Sequence, residues 1–273
     1  MAVSRKPAVA GMFYPSDKDE LMTQIKTLLD ISQPREIPEN IIGLVSPHAG
    51  YIYSGSTAAY AYNTIKNKNY KTVIILSPSH REYFYGACIY SGDAYETPLG
   101  AVEIDKEMAI KLTAGSKYLF TGTKGHDDEH AVEVQIPFLQ MVLTNFKIVP
   151  IVMGDQAPEV IKETAKQIAS AADDNTLIVA SSDLSHFNSK AEAAKLDALV
   201  EKRIIDFNFT QLQNDVENNR CEACGAGPIV AMMNAAEILG KNHSIILNRT
   251  DSGDTSGDNS RVVGYLSAAI YGK

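Results

Sequence analysis

Three hydrophobic segments, each with the length and β-branched content of a buried strand, run straight into short polar turns that carry histidine. IGLVSPHAGY delivers His48, TVIILSPSH delivers His80, and TLIVASSDLSH delivers Asp183 and His186. Strands covered on both faces read as near-continuous apolar runs, as in parallel sheets flanked by helices. In such sheets the ligand crevice lies beyond the carboxyl ends of the strands. One strand-end histidine reads most simply as a hydrogen-bonded structural residue, but the same placement in three segments predicts a single convergent site.

The rest of the chain alternates in the way this requires. Helical spacing in LMTQIKTLL predicts a helix over Leu21 to Leu29 capped by Ser16. A strand at Ile41 to Val45, a turn from Gly50 to Gly55 and a helix from Thr57 to Ile65 form a βα unit, followed by a strand at Lys71 to Leu76. Ala87 to Tyr90 and Gly100 to Ile104 read as short strands about a turn at Glu96 to Pro98, and Asp105 as the cap of a helix running toward Thr113. A helix is expected from about His130, with Pro137 kinking it or falling near its first turns. Further strands are expected at Phe146 to Met153, Thr176 to Ala180, Ser244 to Asn248 and Arg261 to Ile270. Helices are expected from Pro158, over Lys190 to Ile205 and over Pro228 to Leu239. The fold class is therefore α/β, a central mostly parallel mixed sheet between helical layers.

Charge and cysteine usage narrow the partners. A net charge of -8 with no basic run excludes an electrostatic nucleic-acid surface. No apolar stretch approaches the roughly 20 residues that span a bilayer, and MAVSRKPAVAGMFYP lacks the apolar run of a signal peptide. The expectation is a cytoplasmic protein with no membrane or nucleic-acid partner. Three cysteines, Cys88, Cys221 and Cys224, suit metal or redox chemistry better than a disulfide framework.

Five clusters could carry chemistry. SPHAGYIYSG sets His48 and Tyr51 among small residues, and SPSHREYFYG sets His80 beside Arg81. In SSDLSHF, Asp183 and His186 are three apart, so the carboxylate could orient or charge the imidazole. NRCEACGAGPI carries Cys221 and Cys224 at CxxC spacing, a weak signal alone, but one of these thiolates could join His48 and His80 in a three-ligand site. HDDEHAVEVQIP places His126 and His130 four apart, as on one helix face, without the HEXXH order. Cys88, inside GACIY, reads as core.

With these motifs in this order, between RKPAVAGMFYPSD and DTSGDNSRVVGYLSAAI, the chain resembles the Memo family, also called AmmeMemoRadiSam system protein B. The resemblance covers essentially the whole chain and implies one domain over residues 1–273, with a fold like that of class III extradiol dioxygenases. It implies a metal site of His48, His80 and Cys224, with Asp183 and His186 nearby; in an enzyme His186 would act as acid/base with Asp183 tuning it, while Tyr51, Glu129 and His130, from the clusters above, are the candidates for the substrate shell. The dioxygenases hold Fe(II) with two histidines and a carboxylate. Cysteine at the third position weakens transfer of catechol cleavage and softens the site toward Fe(II), with copper or zinc as alternatives. The implied function is metal-dependent oxidation, the alternative a peptide- or protein-binding crevice. The expected partners are a small molecule or peptide and a radical-SAM pathway protein.

Overall fold

The computed structural model describes residues 3–273; Met1 and Ala2, the start of the segment read for a leader, lie outside the described residues. In chain order its elements begin with β1 (Ser4–Arg5), α1 (Lys18–Ile31), β2 (Ile41–Ser46), α2 (Tyr51–Asn63), β3 (Thr72–Pro78), β4 (Ala87–Tyr90), β5 (Ala94–Thr97), β6 (Gly100–Glu103), α3 (Lys106–Thr113) and β7 (Leu119–Gly122). A 3-10 turn at Glu133–Gln135 leads into α4 (Ile136–Val142), β8 (Lys147–Met153), α5 (Pro158–Ala171), β9 (Thr176–Ser181) and β10 (His186–Asn188). The chain closes with α6 (Lys190–Ile205), α7 (Phe209–Glu217), α8 (Ala226–Ile238), β11 (His243–Asp251), α9 (Gly253–Ser256) and β12 (Val262–Tyr271).

Nine strands form one sheet in the order β10-β12-β2-β9-β3-β8-β4-β7, with β11 paired to β12; β1, β5 and β6 form a small second sheet. The centre, β2-β9-β3-β8, is parallel. Antiparallel joints flank it, at β12–β2 on one side and β4–β8 on the other. The chain passes from β2 through α2 to β3 and later returns from β8 through α5 to β9, crossing the sheet in opposite senses. Right-handed crossovers of opposite sense put their helices on opposite faces. Accordingly Val73, Ile75, Leu177 and Val179 share a core with α1, α2 and α4 through Ile25, Tyr62 and Phe138, while Ile74, Leu76, Ile178 and Ala180 share another with α3, α5 and α8 through Met108, Ile168 and Met232. This alternation along each strand is the two-residue period of the pleat.

Several local expectations are corrected. Asp17, not Ser16, caps α1, its Oδ1 accepting from the backbone N–H groups of Asp19 and Glu20 at 2.9 and 3.0 Å. The glycines after His48 do not form an extended turn, because α2 begins at Tyr51 and Gly55 lies inside it. A Cβ at Gly55 would sit 2.8 Å from Leu28 Cδ1, so this glycine serves close packing of α1 on α2. No helix starts at His130; the segment from Thr123 stays irregular until Glu133, and Pro137 occupies the first turn of α4. The edge strand β7 and helix α7 add to the expected elements. Both carry weak local signals: β7 is four residues long, and α7 buries only Leu212 and Asp215.

Candidate metal centre

Spatial order brings β2, β9 and β3 side by side, so their carboxyl ends present His48, the Ser181–Asp183 turn and His80 to one crevice. Cys224 arrives there from the turn that opens α8. Its approach depends on Gly225, where a Cβ would stand 2.3 Å from the Ser181 carbonyl oxygen. The Gly225 N–H donates to Ser182 Oγ at 2.9 Å, and Gln156 Nε2 holds the Cys224 carbonyl at 2.7 Å.

The donor atoms of His48, His80 and Cys224 all lie within 4.8 Å of one another. Cys224 Sγ is 3.2 Å from His48 Nε2. A tetrahedral ion bound to one imidazole nitrogen and one thiolate holds those atoms about 3.6 Å apart, so the residues present fit a small transition-metal ion. Among the described residues Cys221 joins no such donor group: it is 1% exposed and belongs to the core under α8. Burial pushes the Cys221 thiol up to about 11 and that of the fully buried Cys88 up to about 12.

Each histidine is backed by a hydrogen bond at Nδ1, which turns Nε2 toward the crevice. His80 Nδ1 donates to Glu129 Oε1 at 2.9 Å and its backbone N–H to Oε2 at 2.5 Å. Glu129 also accepts from the backbone N–H groups of His130 and Ala131, each at 2.9 Å. Burial raises the Glu129 carboxyl, but its bonds to His80 outweigh this and hold it down at about 2. The sequence assigns Glu129 to the substrate pocket; at 1% exposure and with four donors on its oxygens it instead orients His80. For the same reason the neighbouring His80, Glu129 and His130 group offers a poorer cation cradle than the group containing Cys224.

His48 is 2% exposed, its Nδ1 lies 2.9 Å from Ser181 Oγ, and its backbone N–H donates to Asp183 Oδ1 at 2.8 Å. Burial, helped by the positive field of His80, holds its imidazole down at about 3, so it is neutral and its lone pair is available to a cation. Burial raises the Cys224 thiol well above the ordinary range, against a backbone N–H donated by Asp183 to Sγ at 3.3 Å. A neutral imidazole beside a neutral thiol is a poor thiolate–imidazolium nucleophile. A cation held by His48, His80 and Cys224 would supply the charge that releases the thiol proton.

The remaining predicted residues divide. Asp183 is buried in the site, where desolvation raises its carboxyl, but no hydrogen bond or ion pair joins it to His186 among the described residues. It anchors the His48 backbone instead. His186 stands at the crevice with its backbone N–H on Glu222 Oε2 at 3.1 Å. The strand β10 bulges between His186 and Asn188, leaving Phe187 as the extra residue at φ 61°, 62% exposed and under the Arg261 guanidinium at 5.2 Å. Bulges beside active sites re-aim neighbouring side chains. His130 stacks on His80 with ring centroids 4.8 Å apart, against Phe13 at 4.9 Å on another side, and its buried Nδ1 lies 3.3 Å from Glu129 Oε1 without a well-aligned hydrogen bond.

Tyr51 does not line a pocket. Its hydroxyl donates to the Val134 carbonyl at 2.6 Å and its ring packs on Phe138, because the first turn of α2 directs it into the core. His126 and His130 share no helix face: His126 is wholly buried, with Nδ1 2.6 Å from Tyr95 OH and Nε2 3.0 Å from the Cys88 carbonyl. Arg5, Ser181 and Gln135 join the site as well; each lies in a motif quoted above, RKPAVAGMFYPSD, SSDLSHF and HDDEHAVEVQIP, but nothing within the motif singles it out. The Arg5 guanidinium pairs with buried Glu133 and donates to the carbonyls of Glu129 at 2.5 Å and His126 at 3.0 Å, fixing the loop that carries Glu129. Glu133 also accepts from Ala8 N, Val9 N and Tyr14 OH, tying the first segment of the chain under the site.

A family profile described as "Memo-like protein" matches residues 5–269. A MEMO1 family protein of Nitrosopumilus maritimus is 39% identical over 267 residues, covering 96% of this chain and 97% of its own. Those of Methanocaldococcus jannaschii and Thermotoga neapolitana are each 38% identical, with 97% of this chain covered and 98% and 99% of theirs. Among solved structures, the uncharacterized protein JW3007 of Escherichia coli K12 superposes with a TM-score of 0.54 at 13% identity, covering 84% of this chain and 99% of that one. At that identity the likeness speaks for the α/β fold alone.

Proposed function

The chain belongs to the Memo-like protein family, and from that membership we propose a metalloprotein in which His48 Nε2, His80 Nε2 and Cys224 Sγ hold a redox-active ion, with oxidation of a small molecule or peptide as its reaction. One observation carries the reading: three donors from three separate elements converge within 4.8 Å, with both imidazoles held from behind at Nδ1. Three protein donors leave coordination positions free for substrate, the pattern of catalytic rather than structural sites. Thiolate and imidazole favour Fe(II), with copper or zinc as alternatives, over magnesium or calcium. Iron or copper, when bound, would supply one-electron chemistry, and either of them or zinc would polarise what enters beside it.

The chain's own part is to position and to move protons. His186 and His130 border the crevice, and their imidazoles serve as the acid/base groups nearest an entering molecule. Asp183 holds the His48 backbone and adds negative charge across the site. Phe13 and Phe187, one beside each of these histidines, give the entrance an apolar wall suited to a hydrophobic or aromatic group.

The exposed Phe187 ring also favours the alternative of a recognition crevice without turnover. Anaerobic purification followed by metal analysis and exposure to oxygen separates the two. Iron near one equivalent, with an oxygen-dependent spectral change lost in Cys224→Ser, is expected. Protein that takes up no iron, copper or zinc under any of these conditions overturns the proposal and leaves the recognition reading.

A further inference from the structure

We infer that Ser181 and Gln135 form a positioning relay that fixes His48 as its Nδ1–H tautomer, so that the crevice meets a lone pair at Nε2 instead of an N–H. The inference rests on the metal-binding reading for its purpose but not for its geometry. A neutral imidazole carries one N–H and one lone pair, and a hydroxyl partner alone does not decide between them, because it can donate or accept. At His48 the partner is Ser181 Oγ at 2.9 Å. The decision is made two residues further on.

Gln135 Nε2 lies 3.0 Å from the Pro47 carbonyl oxygen and 2.8 Å from Ser181 Oγ. Pro47 O can only accept, so the amide must turn its NH2 that way; the reverse orientation would set two carbonyl oxygens against each other. The amide oxygen is in turn occupied by Tyr62 OH at 2.6 Å. Both amide hydrogens are then committed, one to Pro47 O and one to Ser181 Oγ. The single Ser181 proton goes to the Ala131 carbonyl, 2.7 Å away and also acceptor only. Ser181 has accepted once and donated once, and the lone pair left can only accept from His48 Nδ1–H. Ser181 is 0% exposed and Gln135 1%, so no solvent molecule replaces either partner.

The two imidazoles are thus oriented by different means. A buried carboxylate holds His80, whereas a neutral chain of hydroxyl and amide holds His48. The relay spans the ends of β2 and β9 and the segment before α4, so it also fixes the distance between His48 and the helix layer behind it.

Long-range 1H–15N NMR of the imidazoles in chelator-stripped protein reads the tautomer directly. The expected result is a protonated Nδ1 and an unprotonated Nε2 at His48. In Ser181→Ala, Nδ1 loses its acceptor and the proton shifts toward Nε2, where Cys224 Sγ lies 3.2 Å away. Zinc affinity, measured by competition with a chromophoric chelator, should fall about 10–100-fold, and Ser181→Thr, which keeps the hydroxyl, should recover most of it. Cobalt(II) bound to Ser181→Ala should keep its thiolate charge-transfer band, separating a misoriented His48 from a lost Cys224. A wild-type His48 protonated at Nε2 overturns the relay whether or not any variant folds, as does Ser181→Ala with unchanged tautomer and unchanged zinc affinity. The expected tautomer in a protein that binds none of iron, copper or zinc would uphold the relay and overturn the metal reading.

Discussion

At the scale of single residues, the chemistry rests on protons that burial has displaced from their ordinary places. His48→Ala, His80→Ala and Cys224→Ser are each expected to lower zinc or iron affinity by at least about tenfold, whereas Cys88→Ala, far inside the core, should not; isothermal titration against stripped protein measures this. Because Cys224 starts as a thiol, binding should release its proton, and affinity should rise about tenfold per pH unit between roughly pH 7 and 8.5. Cys224→Ser should flatten that slope. His126 makes a separate pH prediction. Burial holds it down at about 4, below the ~6.5 of an unfolded imidazole, so the unfolded chain takes up the proton first. Stability from this group is complete above ~6.5 and is lost as pH falls toward 4, by on the order of 3 kcal/mol. Urea melts across this range should show the loss, and His126→Gln should reduce it; an identical pH dependence in the variant would count against this assignment.

At the scale of elements, the site depends on how closely two backbones can approach. Gly225→Ala would drive its Cβ into the Ser181 carbonyl, where only backbone movement can relieve the contact. It should cost about 1–3 kcal/mol and weaken metal binding by displacing Cys224. Gly227→Ala, further along the same segment at the start of α8, meets the Gln156 side chain instead, at 2.8 to 3.0 Å from its Oε1, Cγ and Cβ, and should cost less stability than Gly225→Ala because a side chain, not the backbone, has to give. Thermal melts and metal titrations of the pair test the contrast. Such proximity also explains what can be read in advance. The strands ending at His48, His80 and Asp183 are legible because β-branched runs and polar turns are local signals, and Cys224 is placed through the family resemblance. The directions of side chains are not legible. Tyr51 sits in a motif full of site residues yet faces the core, and Glu129 stands behind a ligand. Ser181, Gln135 and Arg5 acquire their roles only from partners 46 to 133 residues away in sequence, through bonds such as Gln135 to Ser181, Ser181 to His48 and Arg5 to Glu133 that no spacing rule encodes.

At the scale of the whole molecule, the proposed ligands come from three elements, so metal binding and folding would be one equilibrium. Zinc at a hundredfold excess over its Kd should stabilise the fold by about 2.7 kcal/mol, roughly 5–10 °C in Tm for a chain of this size. Differential scanning fluorimetry should show that rise in wild type and little of it in Cys224→Ser. Arg5→Met should lower Tm with or without zinc, since it leaves the buried Glu133 carboxylate without its cation. The strand order carries a consequence for how the protein is made. β9 lies between β2 and β3 yet starts at Thr176, long after β2 ends at Ser46 and β3 at Pro78, so a nascent chain emerging from the ribosome holds His48 and His80 before the strand that seats them exists. Cys224 comes later still. Until the last third of the chain has been synthesised, the two imidazoles have neither their spacing nor the thiol between them, and a stray ion meets no finished cradle. On the proposed reading, tight metal capture would thereby become a mark of completed translation, open to a pulse of radioactive zinc on arrested chains: those halted before Cys224 should retain none of it, and those carried through β12 should hold it.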